Sequence, residues 1–135
     1  MIVIVIGAIL VGIAVPSYQA QVRKSRRTDA RNALLDIAAR EERLLSVTNA
    51  YSATSTDVGY GGAWPQQVSN GYYQVSVTVP DPAQPAGTTS YIITATTFGI
   101  QVGDTDCASF SVNQIGQETA KTSGGVDNST TCWGI

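Results

Sequence analysis

The chain has 135 residues, of which 43% are hydrophobic and only 13% charged, and its formal net charge is −2. That length suits one ordinary domain with an appended segment. The absence of His excludes imidazole base catalysis and His-ligated metal sites, two Cys are too few for a four-thiolate zinc site, and the mildly acidic balance disfavours bulk nucleic-acid binding.

The charge is unevenly distributed along the chain. Residues 1–22 carry no charged side chain. Seven of the eight bases (Arg23, Lys24, Arg26, Arg27, Arg31, Arg40 and Arg43) fall between residues 23 and 43, together with Asp29, Asp36, Glu41 and Glu42. From residue 44 onward Lys121 is the one base against six acids. The order is an apolar head, a basic neck and a mildly acidic body.

The head, MIVIVIGAILVGIAV, has fifteen residues without a polar side chain. A core helix apolar on every side needs more surrounding protein than a domain of this size supplies. The h-region of a cleaved signal peptide fits badly, because no basic segment precedes the run and Pro-Ser-Tyr-Gln with an arginine cluster follows it. A membrane span, with the basic cluster at the headgroup surface, fits best. In hydrocarbon such a run must be helical to satisfy its backbone, β-branched side chains notwithstanding. Pro16 lacks an N–H and crowds the carbonyl four residues back, so a kink or local break is expected between about residues 8 and 16, with Gly7 and Gly12 as further weak points.

The stretch MIVIVIGAILVGIAVPSYQAQVRKSRRTDARNALLDIA resembles the N-terminal segment of type IV pilins. The likeness covers residues 1–39 and rests on the uncharged run, its glycines, Pro16 followed by Ser17 and Tyr18, and the amphipathic continuation. The family's leader, processing site, Phe-type mature N terminus and early Glu have no counterpart here, because Met1 aligns just past that Glu. About six further residues would bring the apolar run to roughly 21, enough to span a bilayer. The resemblance implies that Met1, Ile2, Val3, Ile4, Val5, Ile6, Ile9, Leu10, Val11, Ile13 and Val15 face lipid before assembly and a filament core afterwards. It also implies that the region of Gly7, Gly12 and Pro16 melts in the fibre. Cys107 and Cys132 stand where pilins close a C-terminal disulfide loop, and Cys132-Trp133 near the terminus resembles the PilE-like minor subgroup. An exported location makes two free thiols the weaker alternative, and neither CxxC spacing nor a nearby base supports a redox pair.

Residues 17–48 continue the helix, with apolar positions at Ala30, Ala33, Leu34, Ile37, Ala38, Leu44, Leu45 and Val47 on one face, interrupted by Glu41. Asn49 and the Ser/Thr/Gly-rich stretch after it end the helix. A helix of this length extends roughly 70 Å at about 1.5 Å per residue, so its first half needs cover from lipid or from other copies. Arg23, Lys24, Arg26, Arg27 and Arg31 form either a solvated neck facing the membrane or an inter-subunit surface meeting acids of a neighbour such as Asp57 or Asp104.

Residues 50–71 lack periodicity. In pilins the corresponding connection is a variable surface, and here Tyr51, Tyr60 and Trp64 are expected to pin it to the sheet. Residues 72–79 (YYQVSVTV) alternate as a strand with Tyr73, Val75, Val77 and Val79 on one face. A turn at 80–87, a strand at 90–97, a turn at 99–106, a strand at 107–114 with Phe110 and Val112 on one side, and a short strand near 117–122 complete the body. The pair Asp104 and Asp106 in a GDTD turn offers two carboxylates to a hard cation but lacks the remaining ligands, and a solvated turn is favoured. Asn128-Ser129-Thr130 matches a glycosylation triplet, a short pattern frequent by chance.

The expected fold is α+β: a long N-terminal helix packed on an antiparallel meander of three to four strands with a C-terminal disulfide loop. The expected organisation is a stalk at 1–22 and a head at 23–135. Within the head come a half-helix at 23–49, a connection at 50–71, a sheet within 72–122 and a disulfide-bounded region at 107–132. The resemblance implies a type IV pilus subunit, held in the inner membrane as a single-pass protein before export into an extracellular filament. Its expected partners are other pilin copies and the inner-membrane assembly machinery, and its uses are twitching motility, adhesion or surface attachment. No catalytic residue, metal or cofactor is expected. A competence pilin that captures DNA is the alternative, disfavoured by Lys121 being the one base beyond residue 43; a type II secretion pseudopilin is another, disfavoured by the disulfide loop.

Overall fold

The computed structural model describes residues 2–83 and 89–135. Met1 and residues 84–87 of the expected turn lie outside the described residues. The chain opens with one helix, α1 (Ile2–Thr48), and continues through a 3-10 turn (Ser55–Val58) into β1 (Gln66–Val68). A second 3-10 turn (Ser69–Gly71) leads to β2 (Tyr73–Thr78) and β3 (Ile92–Thr97). A third (Gly99–Gly103) leads to β4 (Ser109–Asn113), β5 (Glu118–Lys121) and a closing helix, α2 (Ser129–Trp133). Among the described residues the sheet has five strands in sequence order, every neighbouring pair antiparallel. The fold is α+β, with the head half of α1 lying across one face of the sheet.

The alternation in β2 acts as its sequence predicts. Tyr73, Val75 and Val77 point into the core, joined by Ile93 and Ala95 of β3, Phe110 and Val112 of β4 and Ala120 of β5. From α1 the core receives Ala30, Leu34 and Ile37, at spacings of four and three that keep one helix face on the sheet. The next position on that face is Glu41, which is buried rather than breaking the stripe, while Val47 is 77% exposed. The stripe therefore leaves the sheet one turn earlier than the apolar pattern suggests. Asn49 ends α1 with a positive φ of 58°, its N–H reaching the Leu45 carbonyl at 2.8 Å.

Two elements differ from the sequence reading. The sheet has five strands instead of three to four, because Gln66–Val68, within the connection at 50–71, forms an edge strand on β2 with Val68 opposite Tyr73. Three residues are too few to show alternation, and the edge position needs only one partner. The helix also runs through Gly7, Gly12 and Pro16 without the expected break. Pro16 removes one backbone donor, and the hydrogen bonds on either side carry the helix past it.

The connection between helix and sheet is fastened by its aromatic residues. Tyr51 packs edge-on against Tyr91 with ring centroids 4.6 Å apart, and its hydroxyl donates to Glu42 Oε1 at 3.0 Å. Tyr60 packs on Trp64 and donates to Asp36 Oδ2 at 3.2 Å. Arg40 Nη1 donates to the Val58 carbonyl at 3.2 Å.

Glu41 sits under this connection. Its Oε2 accepts the Ser52 N–H at 3.1 Å, and its Oε1 is buried without a partner among the described residues. Burial, reinforced by the neighbouring Asp57 and Glu42, raises its pKa above the ordinary Glu value, against the lowering effect of the Ser52 hydrogen bond. Because the folded-state pKa is the higher one, this group's contribution to stability is fully present below the unfolded Glu value and is lost as pH rises through the folded value. Glu41→Gln, which mimics the protonated acid, is expected to raise the melting temperature of the detergent-solubilised chain by a few degrees at neutral pH. The gain should vanish at a pH below the ordinary Glu value, as read by circular dichroism melts at both.

Candidate functional surface at the neck

Where α1 enters the head, three of its arginines each take a different partner. Arg27 grips Asp104 in a two-pronged pair, Nε to Oδ2 at 2.6 Å and Nη2 to Oδ1 at 2.5 Å. The Asp104 side chain is 2% exposed. Arg26 lies over the Tyr72 ring, 3.7 Å from its centroid, and donates to Gln101 Oε1 at 3.3 Å. Arg31 donates to the Trp133 carbonyl at 2.8 Å and to Thr28 Oγ1 at 3.0 Å. A guanidinium presents five donors in a planar fork, so each arginine makes more than one contact, Arg31 bracing on Thr28 of its own helix while it reaches Trp133.

These contacts run on into a buried polar network. The side chain of Gln101 is fully enclosed, and its Nε2 donates to Asp104 Oδ2 at 3.1 Å and to the Tyr73 hydroxyl at 3.3 Å. Burial pushes the Tyr73 phenol up to about 12, so it stays neutral and accepts that bond across the physiological range. The hydrogen bonds that Arg27 donates to Asp104 raise its pKa above its already high value, which fixes its charge.

The chain terminus joins the same end of the head. Cys107, just before β4, is bonded to Cys132 in α2 across a sequence separation of 25. Closing a loop of that length stabilises the fold by about 3.5 kcal/mol in the chain-entropy account. Trp133 donates from Nε1 to the Thr119 carbonyl at 2.8 Å and meets Phe110 edge-on at 5.7 Å. Arg31, Trp133 and Phe110 thus connect the helix, the terminus and the core.

The sequence-derived candidates distribute as follows. Ile2, Val3, Ile4, Val5, Ile6, Ile9, Leu10, Val11, Ile13 and Val15 are all at least half exposed among the described residues. The helix is long and apolar enough to cross a membrane by length and composition. Arg27 and Asp104, set against each other across copies in the sequence reading, pair within one chain, and Asp57 accepts from Ser52 Oγ at 2.6 Å. Arg27 and Arg40 are in ion pairs, which leaves six of the eight bases without one among the described residues. Of these, Arg23 and Lys24 line an open cleft of about 530 Å³ with Arg27, Arg31, Asp104 and Asp106, bounded by the C-terminal loop. Both Asp104 oxygens accept from Arg27, so the GDTD turn keeps only Asp106 for any cation. Asn128 of the glycosylation triplet donates from Nδ2 to the Asp106 carbonyl at 3.0 Å.

The sequence reading missed Gln101 and the joining role of Trp133. Nothing local marks Gln101, a polar residue in a short turn that becomes buried only when β3 and β4 close on α1. The Cys132-Trp133 pair was visible, but its contact with Arg31 spans 102 positions and leaves no trace in spacing.

A family model described as type IV minor pilin ComP, DNA uptake sequence receptor, matches residues 16–111. A search of curated proteins finds no match.

Removing one partner of the Arg27–Asp104 pair leaves a buried charge uncompensated. Arg27→Met is expected to cost about 3–5 kcal/mol. Arg27→Met combined with Asp104→Leu should recover most of that loss. Urea unfolding of the detergent-solubilised variants, followed by tryptophan fluorescence, measures both.

Proposed function

We propose, for a chain that belongs to the type IV minor pilin family, that residues 1–22 act as a stalk and residues 23–135 as the head of a filament subunit. The family is structural rather than enzymatic, and membership implies assembly with other pilins into an extracellular pilus. The observation that carries the stalk reading is the uncovered apolar half of α1. Its ten large apolar side chains from Ile2 to Val15 are 50–81% exposed. At about 1.5–3 kcal/mol each, leaving them in water forgoes on the order of 15–30 kcal/mol. A bilayer satisfies them before assembly, and stalks of sister subunits satisfy them in the fibre. Since both media remove the same water contact, packing between stalks and the assembly machinery decide between them. Melting around Gly7, Gly12 and Pro16 on assembly belongs to this proposal, as does an inter-subunit role for Arg23 and Lys24.

Within the family reading, uptake of DNA is a better-supported use than twitching or adhesion. The supports are the description of the matched family as a DNA uptake sequence receptor and the basic cleft at Arg23, Lys24 and Arg31. Lys121 being the one base beyond residue 43 was the reason to disfavour DNA. A cleft at the neck meets that objection, because phosphate contacts need cations on one surface and not on the whole body. The type II secretion pseudopilin reading has no such support.

Cells expressing the chain with Val11→Asp are expected to lose it from sheared pili while keeping it in total extract; incorporation at the unsubstituted level sinks the stalk reading. The detergent-solubilised chain is expected to retain double-stranded DNA at low salt. With six bases outside ion pairs among the described residues, log affinity should fall against log salt with a slope no steeper than about −5, and Arg23→Ala with Lys24→Ala should make it shallower by about 2. No retention at low salt sinks the DNA reading and leaves the filament reading standing.

A further inference from the structure

The 3-10 turn Gly99–Gly103, between β3 and β4, carries two exposed apolar side chains, Ile100 at 72% and Val102 at 57%. Its position along α1 is well fixed. Ile100 shares a groove with Tyr18, Val22 and Arg26. The Arg23 guanidinium lies beside Gly103, 3.6 Å from where a Cβ would sit. Gln101 and Asp104 are hydrogen-bonded to Arg26 and Arg27. The turn is therefore locked to the helix at the level of residues 18–27.

That level is where the apolar half of α1 gives way to the basic one. The uncharged run ends at Val22 and the first charge is Arg23. With the edge of the hydrocarbon between Tyr18 and Arg23, Ile100, level with Val22, lies within about 6 Å of it along the axis at 1.5 Å per residue. The headgroup layer is roughly 5–7 Å thick on each side of the hydrocarbon. Tyr18, 73% exposed, is the residue type that settles at such a boundary. Lys24 and Arg23, neither in an ion pair among the described residues, stand just above it, where anionic headgroups attract bases; exposed Asp106 opposes them from the adjoining cleft.

We propose that Ile100 and Val102, with Tyr18 and the bases Arg23 and Lys24, form a foot by which the head rests in the headgroup layer of an anionic bilayer before assembly. The foot rests on the reading of α1 as a membrane anchor and goes beyond it. An anchor alone leaves the head free to tilt and rise from the surface, whereas the foot fixes its height and turns one defined edge toward the lipid. The occupant is lipid because the foot is continuous with the anchoring surface. Ile115 in the β4–β5 connection, also exposed, lies at the opposite end of the sheet and gives the comparison point.

The test uses the full chain in vesicles of phosphatidylethanolamine and phosphatidylglycerol, with nitroxide labels introduced singly through Ile9→Cys, Ile100→Cys and Ile115→Cys. Relaxation by oxygen and by a water-soluble nickel chelate reports depth. The expected result is position 9 in hydrocarbon, position 115 in water, and position 100 several-fold less accessible to the chelate than position 115. Position 9 in hydrocarbon with position 100 as accessible as 115 overturns the foot and leaves the anchor. Position 9 open to the chelate overturns both. Protection of position 100 that disappears when the protein is diluted in lipid identifies a neighbouring stalk as the occupant and also overturns the foot.

Discussion

The Arg27 guanidinium and the Asp104 carboxylate, closed on each other at the root of the head, tie the long helix to the body. One helix is apolar and exposed over its first half and packs on the sheet over part of its second. The core half contributes only Ala30, Leu34 and Ile37 as fully buried apolar side chains. That is a narrow apolar grip for so long a lever, and the arginines widen it. Arg26 on Tyr72, Arg27 on Asp104 and Arg31 on Trp133 seize three separate parts of the body within two turns of helix. A buried ion pair is a weak source of net stability but a strong source of registry, because a shift of the helix by one residue would strand both charges.

Much of the fold could be read from periodicity. Within residues 72–79 the expected inward positions Tyr73, Val75 and Val77 are buried, while Val79, just past the end of β2, is only half-buried. The helix stripe at Ala30, Leu34 and Ile37 follows from spacing, and its stop at Asn49 from residue type. Elements whose existence depends on distant partners were not legible. β1 is three residues of an irregular connection, and it becomes a strand because β2 offers it a free edge. Val47 looked like core and is solvent-exposed, since the sheet ends before the helix does. Glu41 looked like an interruption and is enclosed, because the connection with Ser52 folds over it.

At the neck the sequence displayed the charges but not their pairing. Arg27 and Asp104 are 77 positions apart, and nothing in the chain distinguishes a base that will meet an acid of its own head from one free to meet another molecule. Once Arg27 is removed from the unpaired set, Arg23 and Lys24 remain together at the mouth of one cleft. These two bases make one patch of the surface positive, although the molecule as a whole is slightly acidic. Net charge describes the whole surface, while recognition uses a patch of it.

The bond between Cys107 and Cys132 gives the head a mechanical character. Both ends of that bond lie near the neck, on the segment entering β4 and on the helix that closes the chain. A pull along the shaft enters the head through Arg27 and Arg31, on either side of this covalent tie. Under such a pull the load would divide between the sheet, through Asp104, and the terminus, through Trp133. Traction applied to such a subunit would have to shear the helix face off several strands together, a mode in which many contacts resist at once.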